Sequence, residues 1–126
     1  MSEGKGCLYA ELTPADGDAG MLSLENPEGQ DLLITRFAIV TTEAADGATT
    51  VDAGIDNDGT GSVDTLLDGQ TINAVGFRDN IKDQDTNGQE AILWESDEYI
   101  TVTKVAGAGD SEEGLVAKAY IEFIRV

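Results

Sequence analysis

The residues best placed to do chemistry lie in Asp83-Gln84-Asp85-Thr86-Asn87-Gly88. This is the D-x-D-x-N-G opening of a calcium loop, in which side-chain oxygens at alternate positions converge on a hard cation and the glycine permits a sharp turn. Asp83, Asp85 and Asn87 are therefore the candidate metal ligands, for Ca2+ or another oxygen-seeking cation. The loop is incomplete. Its twelfth position must bring a bidentate carboxylate, and here that position is Trp94, with Glu95 one residue late. Asp and Asn are equally the ordinary residues of a solvated turn, so no cofactor is required by this segment. A second acidic turn, Asp56-Asn57-Asp58-Gly59-Thr60-Gly61-Ser62-Val63-Asp64, would hold a cation if Asp52 or Asp64 folded back onto it.

Other chemistries lack their parts. The chain has no His and a single cysteine, Cys7, so neither a thiolate–imidazole pair nor a Ser-His-Asp triad can be assembled, and no intrachain disulfide can form. Cys7 reads as a small buried apolar residue. With 25 acidic residues, carboxylate neighbours such as Glu95 with Asp97 or Glu98 arise anyway and carry no information about acid–base catalysis. There is no phosphate-binding G-x-x-x-x-G-K-[ST] loop and no G-x-S-x-G nucleophile elbow. The expectation is a protein that is not an enzyme. Trp94, Tyr99 and Tyr120 are expected to pack in a core or an interface and not to form a sugar-stacking platform.

The elements that must position these residues are bounded by composition. A chain of 126 residues suits one domain; a flexible segment over 1–6 followed by one domain over 7–126 is expected. The seven basic residues are scattered and the net charge is −18, which argues against direct nucleic-acid contact and against an anionic membrane surface. No apolar run approaches the roughly 18–20 residues of a membrane-spanning helix. Met1 to Gly6 shows no basic segment leading into an apolar one, so assembly in the cytoplasm is expected. Charge of this size strains a compact state through self-repulsion, which strong brine relieves as the Debye length falls to about 3 Å at 1 M salt. A halophilic source, or a virus of one, fits that balance.

Short runs of strand length alternate with Gly, Asn and Asp turns. Strands are expected over Cys7–Leu12, Met21–Leu24, Gln30–Thr42, Thr49–Ile55, Gln70–Phe77, Glu90–Glu95, Glu98–Val105 and Leu115–Val126. In the last, Ala117, Ala119, Ile121 and Phe123 alternate with Lys118, Tyr120 and Glu122, as a half-buried strand requires. Within Gln30–Thr42, strict alternation sets Leu33, Phe37 and Ile39 on one face and Leu32, Ile34, Ala38 and Val40 on the other, so the strand should be central. Ser62–Leu67 reads as a short helical turn capped by Ser62 and ended by Asp68-Gly69. About eight strands and one helical turn define an all-β protein, a single antiparallel β-sandwich of jelly-roll type.

Several segments together resemble a group of small virion structural proteins of tailed bacteriophages. They are Leu24-Glu25-Asn26-Pro27-Glu28-Gly29, Leu33-Ile34-Thr35-Arg36, Val40-Thr41-Thr42, Gly47 to Ile55, Asp64 to Gly69, Phe77-Arg78-Asp79-Asn80, Thr86-Asn87-Gly88 and Gly114 to Glu122, in order over residues 21–126. The resemblance implies a decoration, cement or head-fibre protein on the capsid surface of the virion. Its partner would be the major capsid protein, its state a homotrimer, and it would carry no catalytic residue. The acidity departs from the family and points to a virus of a halophilic host, with the protein as a capsomer cap or turret. For such an oligomer the C-terminal strand offers Tyr120, Ile124 and Val126 as one outward strip, suited to an apolar subunit interface. The competing expectation is a calcium-dependent binding module, of carbohydrate-binding or adhesin type, working through the Asp-rich turns.

Overall fold

The structure, a computed structural model, describes residues 4–15 and 20–126. Nine strands form among these: β1 (Lys5–Glu11), β2 (Leu22–Glu25), β3 (Leu32–Glu43), β4 (Thr50–Asp56), β5 (Leu67–Thr71), β6 (Gly76–Asp79), β7 (Ile92–Trp94), β8 (Tyr99–Ala106) and β9 (Val116–Arg125). A five-stranded sheet runs β1-β9-β3-β6, with β7 also paired to β3, and a four-stranded sheet runs β2-β8-β4-β5. Every pairing is antiparallel. This is the all-β sandwich the alternation predicts.

The core lies between the two inner faces. Ala117, Ala119, Ile121 and Phe123 of β9 point inward as their spacing requires, against Val51, Ala53, Ile100 and Val102 of the other sheet. Burying the Val, Ile and Phe side chains stabilises the fold by about 1.5–3 kcal/mol each, and each Ala methyl adds about 0.8 kcal/mol. Trp94, Leu66, Leu67 and Ile72 fill the remaining volume and are fully buried.

Strand β3 is central as expected, lying between β9 on one side and β6 and β7 on the other, but its faces differ from strict alternation. Its register against β9 slips between Ile34 and Arg36, leaving Thr35 as an extra residue. A bulge of this kind resets the two-residue period. Leu32, Ile34, Phe37 and Ile39 therefore all face the core, and Leu33, Ala38 and Val40 face out with Ile124, Tyr120 and Lys118 opposite them.

Three other expectations are corrected. Ser62–Leu67 forms no helical turn. Gly54 has no side chain, and a Cβ there would lie 2.8 Å from the backbone nitrogen of Thr65 and 3.0 Å from Val63; the segment lies flat against β4, with the Leu66 N–H donating to the Ala53 carbonyl at 2.8 Å and Leu67 opening β5. Gln70–Phe77 is not one strand. The chain leaves the four-stranded sheet after Thr71 and joins the five-stranded sheet at Gly76, whose φ of 146° only glycine adopts readily. Strand β1 starts at Lys5, because Gly6 leaves room for the Phe123 ring that a Cβ would meet at 2.5 Å. Lys5 and Gly6 thus belong to the sheet, and residues 1–3 of the expected flexible segment lie outside the described residues.

Candidate functional site

Two places on the surface concentrate chemistry, one on each sheet. The first is acidic. Asp52 on β4, Asp64 in the β4–β5 connection and Asp68 on β5 bring carboxylate oxygens within 4.8 Å of one another. They meet because the β4–β5 connection is pressed onto β4 at Gly54 and because the loop from Gln84 to Gln89 docks on it in turn. There the Gln89 N–H donates to the Thr65 carbonyl at 2.8 Å. Gly88 makes this docking possible, since a Cβ would stand 2.7 Å from the carbonyl oxygen of Leu66.

Asn87 then closes the cluster. Its side-chain amide donates to Asp64 Oδ2 at 3.0 Å and to Asp68 Oδ2 at 3.1 Å, and its backbone N–H donates to the same Asp68 oxygen at 3.1 Å. The Gly69 N–H donates to Asp52 Oδ1 at 2.8 Å. Burial pushes the Asp52 carboxyl above the usual range; the Gly69 hydrogen bond opposes this, and the charges of Asp64 and Asp68 add to it.

A carboxyl whose pKa is raised in the native state costs stability when ionised, and the cost disappears as the pH falls through the raised value and the native state takes up its proton first. Asp52→Asn keeps the acceptor for Gly69 and removes the charge. It is expected to raise the melting temperature by about 2–5 °C at neutral pH in low salt without divalent ions, a difference that vanishes below the ordinary aspartate range. Thermal unfolding across pH measures it, and a destabilised variant at neutral pH would contradict the account.

The three ligands expected from D-x-D-x-N are not brought to one point. Asp83 is turned the other way, accepting from the Asp79 backbone N–H at 3.0 Å and from Lys82 Nζ at 2.7 Å, with Arg78 at 3.8 Å. Burial opposes its charge, but these donors outweigh it and hold the carboxyl below its ordinary value. Asp85 is exposed in the left-handed region at φ 56°. Of the three, Asn87 alone joins an acidic cluster. Asp83 and Asn87 thus take different partners: Lys82, Arg78 and the turn after β6 hold Asp83, and Asp64 and Asp68 hold Asn87. Asp52 or Asp64 was expected to fold back onto the second acidic turn; Asp56 Oδ2 instead accepts there from the Gly59, Thr60 and Gly61 N–H groups, while Asp52 and Asp64 meet at Asp68, which was not anticipated, and Asn87 arrives from the other acidic turn.

The second place is the outer face of the five-stranded sheet. Tyr9 and Tyr120 are opposite each other on β1 and β9 with ring centroids 5.8 Å apart. Leu33, Leu93 and Ile124 share a row at one end, and Val40 and Phe77 stand together at the other. Tyr9, Phe77, Leu93, Val116, Tyr120 and Ile124 are all exposed. Of the expected strip, Tyr120 and Ile124 lie on this face, while Val126 is 65% exposed just beyond the end of β9. Cys7 is also exposed, contrary to its expected burial, because β1 is an edge strand on which Cys7 and Tyr9 point outward and Leu8 points in. Trp94 is fully buried and Tyr99 half-buried, so they form no platform with Tyr120.

Cations decorate this face. Lys118 Nζ sits 5.0 Å from the Tyr9 ring centroid, and Lys82 and Arg36 lie 4.5 and 5.9 Å from that of Phe77. Arg36 is held by the buried Asp79 at 3.1 Å. Six of the seven basic residues, Lys5, Arg36, Arg78, Lys82, Lys118 and Arg125, belong to this sheet or to the turn after β6. Lys104 on β8 is the exception, enclosed and paired with Glu112 at 2.8 Å. The outer side of the four-stranded sheet is thus acidic, and that of the five-stranded sheet combines apolar side chains with charges of both signs that nearly balance.

No family model, curated protein or solved structure matches the chain.

Proposed function

We propose that the protein is a non-catalytic structural subunit that decorates or cements a viral capsid surface as an oligomer, holding the lattice of the major capsid protein. The observation that carries this reading is the outer face of the five-stranded sheet, where large apolar side chains stand together on a surface that a solitary, strongly acidic protein has reason to avoid. Binding by burial on a rigid sandwich needs no catalytic group. The resemblance of residues 21–126 to small phage virion proteins supplies the capsid as the setting, and the net charge of −18 supplies brine. Co-sedimentation with expanded shells of the major capsid protein from the same virus, in about 1–3 M salt, tests the reading. Saturable binding with lattice stoichiometry is expected; shells that pellet without the protein at tens of micromolar would overturn it.

A second reading, the cation-dependent binding module, is favoured by one observation, the Asp52, Asp64 and Asp68 cluster capped by Asn87. On that reading millimolar calcium raises the melting temperature of the wild-type chain by mass action and does nothing for Asp52→Asn. Equal melting curves with calcium and with EDTA dismiss it.

A further inference from the structure

We infer that two copies of this chain pair through the outer face of the five-stranded sheet, about a two-fold axis crossing the strands at Tyr120, with Lys118 of each copy against Glu122 of the other. The inference rests on the assembly reading only in giving that face work to do, and its test involves no capsid.

Charge selects the surface. Two chains of net charge −18 repel wherever acidic surfaces meet. The outer side of the four-stranded sheet presents Glu25, Asp52, Asp56, Asp64 and Asp68. The outer face of the five-stranded sheet instead sets Lys5, Arg36 and Lys118 against Glu11, Glu122 and the buried Asp79, with Glu43 at its margin. It is close to neutral and is where the exposed apolar side chains gather.

The pattern along β9 selects the symmetry. Its outward residues are Val116, Lys118, Tyr120, Glu122 and Ile124: apolar, positive, aromatic, negative, apolar. At about 3.3 Å per residue, Lys118 and Glu122 stand roughly 7 Å to either side of Tyr120. Reversing the strand over a copy of itself sets positive against negative at both places, ring against ring at the centre, and Val116 against Ile124. The neighbouring strands agree, since Tyr9 on β1 and Ala38 on β3 lie level with Tyr120 and give the axis an apolar row. Among the described residues neither Lys118 nor Glu122 has an ion pair within the chain; Lys118 lies over the Tyr9 ring opposite Glu11, and Glu122 stands opposite Arg36, so each turns to a second copy by giving up only solvated surface contacts. Self-complementarity of this kind is what an isologous contact demands. Sheets stacked face to face cross at about −30°, a lateral offset that long Lys and Glu side chains span. Stacking a flat face on its copy is a pairwise contact, so this surface makes a dimer, and a trimer requires a different strip.

The test is a charge swap read by sedimentation equilibrium in about 0.5 M salt with EDTA, where exposed charges are screened and a desolvated pair is not. The wild-type chain is expected at twice its 13.2 kDa mass. Lys118→Glu and Glu122→Lys are each expected to weaken the dimer about tenfold or more, and the double variant to recover to within about threefold of wild type. Both positions are on the surface, and unchanged far-UV circular dichroism confirms folding; Tyr120→Asp gives an independent disruption. A monomer at about 100 μM, single variants that pair like wild type, or a double variant no tighter than the singles would each overturn the inference. Swap rescue without capsid binding would sink the capsid reading and leave the dimer, and the converse would do the reverse.

Discussion

Asn80→Ala is expected to cost the protein about 3 kcal/mol of stability, since hydrogen-bonding groups left unsatisfied in the interior cost about 1–3 kcal/mol each. Asn80 is fully buried and works as a three-way clasp. Its side-chain oxygen accepts from the Phe37 backbone N–H at 2.7 Å, while its amide donates to the carbonyls of Gln89 and Glu90, both at 2.9 Å. The two ends of the loop that carries Asn87 are thereby tied to the central strand. Truncation leaves the Phe37 N–H without its partner beneath β6 and releases the far end of the loop. Urea unfolding measures the loss, and amide exchange should show faster opening over residues 81–90 than elsewhere. A loss below about 1 kcal/mol, with exchange unchanged, would mean that water replaces the side chain and that the clasp does not order the loop.

Trp94→Ala should be more damaging still, at about 3–5 kcal/mol, because a large side chain is removed from a site that cannot collapse to fill it. Trp94 is fully buried at the end of the sandwich, its indole N–H donates to the Glu98 carbonyl at 2.9 Å, and its own carbonyl accepts from the Asn26 amide at 3.1 Å. Trp94→Phe separates the two contributions: most of the volume returns, and the remaining deficit, of about 1 kcal/mol, plus any residual void, reports the indole hydrogen bond. Chemical denaturation of the three chains, followed by circular dichroism because Trp94 is the sole tryptophan, gives the comparison. Equal stability of the alanine and phenylalanine variants would contradict the packing account.

How far each feature was legible depended on the distance over which its cause acts. The inward set of β9 was readable because its alternation is uninterrupted and each residue answers only to its own neighbours. The faces of β3 were not, because the bulge at Thr35 is dictated by pairing with Phe123 and Glu122 almost ninety residues away, and a Thr within a strand looks like any other. Ser62–Leu67 carries a helix cap and a helix stop, yet Gly54 on another strand offers it a flat bed and the core takes both Leu66 and Leu67. The acidic cluster was half legible. Spacing within Asp83 to Gly88 suggested three ligands to one ion, but the side chains obey different masters: Asp83 answers to Lys82 and Asp79, Asn87 to Asp64 and Asp68. Gly88 was singled out for a turn, which its N–H closes on the Gln84 carbonyl at 3.1 Å, but its close approach to the carbonyl of Leu66 was not foreseen. Tyr120 and Ile124 were found on the outer face because β9 could be read; Tyr9, Phe77 and Leu93 lie on shorter edge strands whose inner and outer faces only the pairing reveals.

The unequal sharing of charge between the outer faces of the two sheets gives a single copy a polarity, with its negative side on the four-stranded sheet. In dilute buffer, where fields reach tens of ångströms, the molecule turns before it lands. On a cationic resin or sensor chip a single copy settles acidic side down and holds Tyr9, Phe77, Tyr120 and Ile124 toward the liquid, whereas a pair joined through that face is acidic on both outer sides and lands on either. An anion-exchange support loaded with single copies therefore displays them in one orientation without any tag, with the pairing face turned toward a second copy in solution.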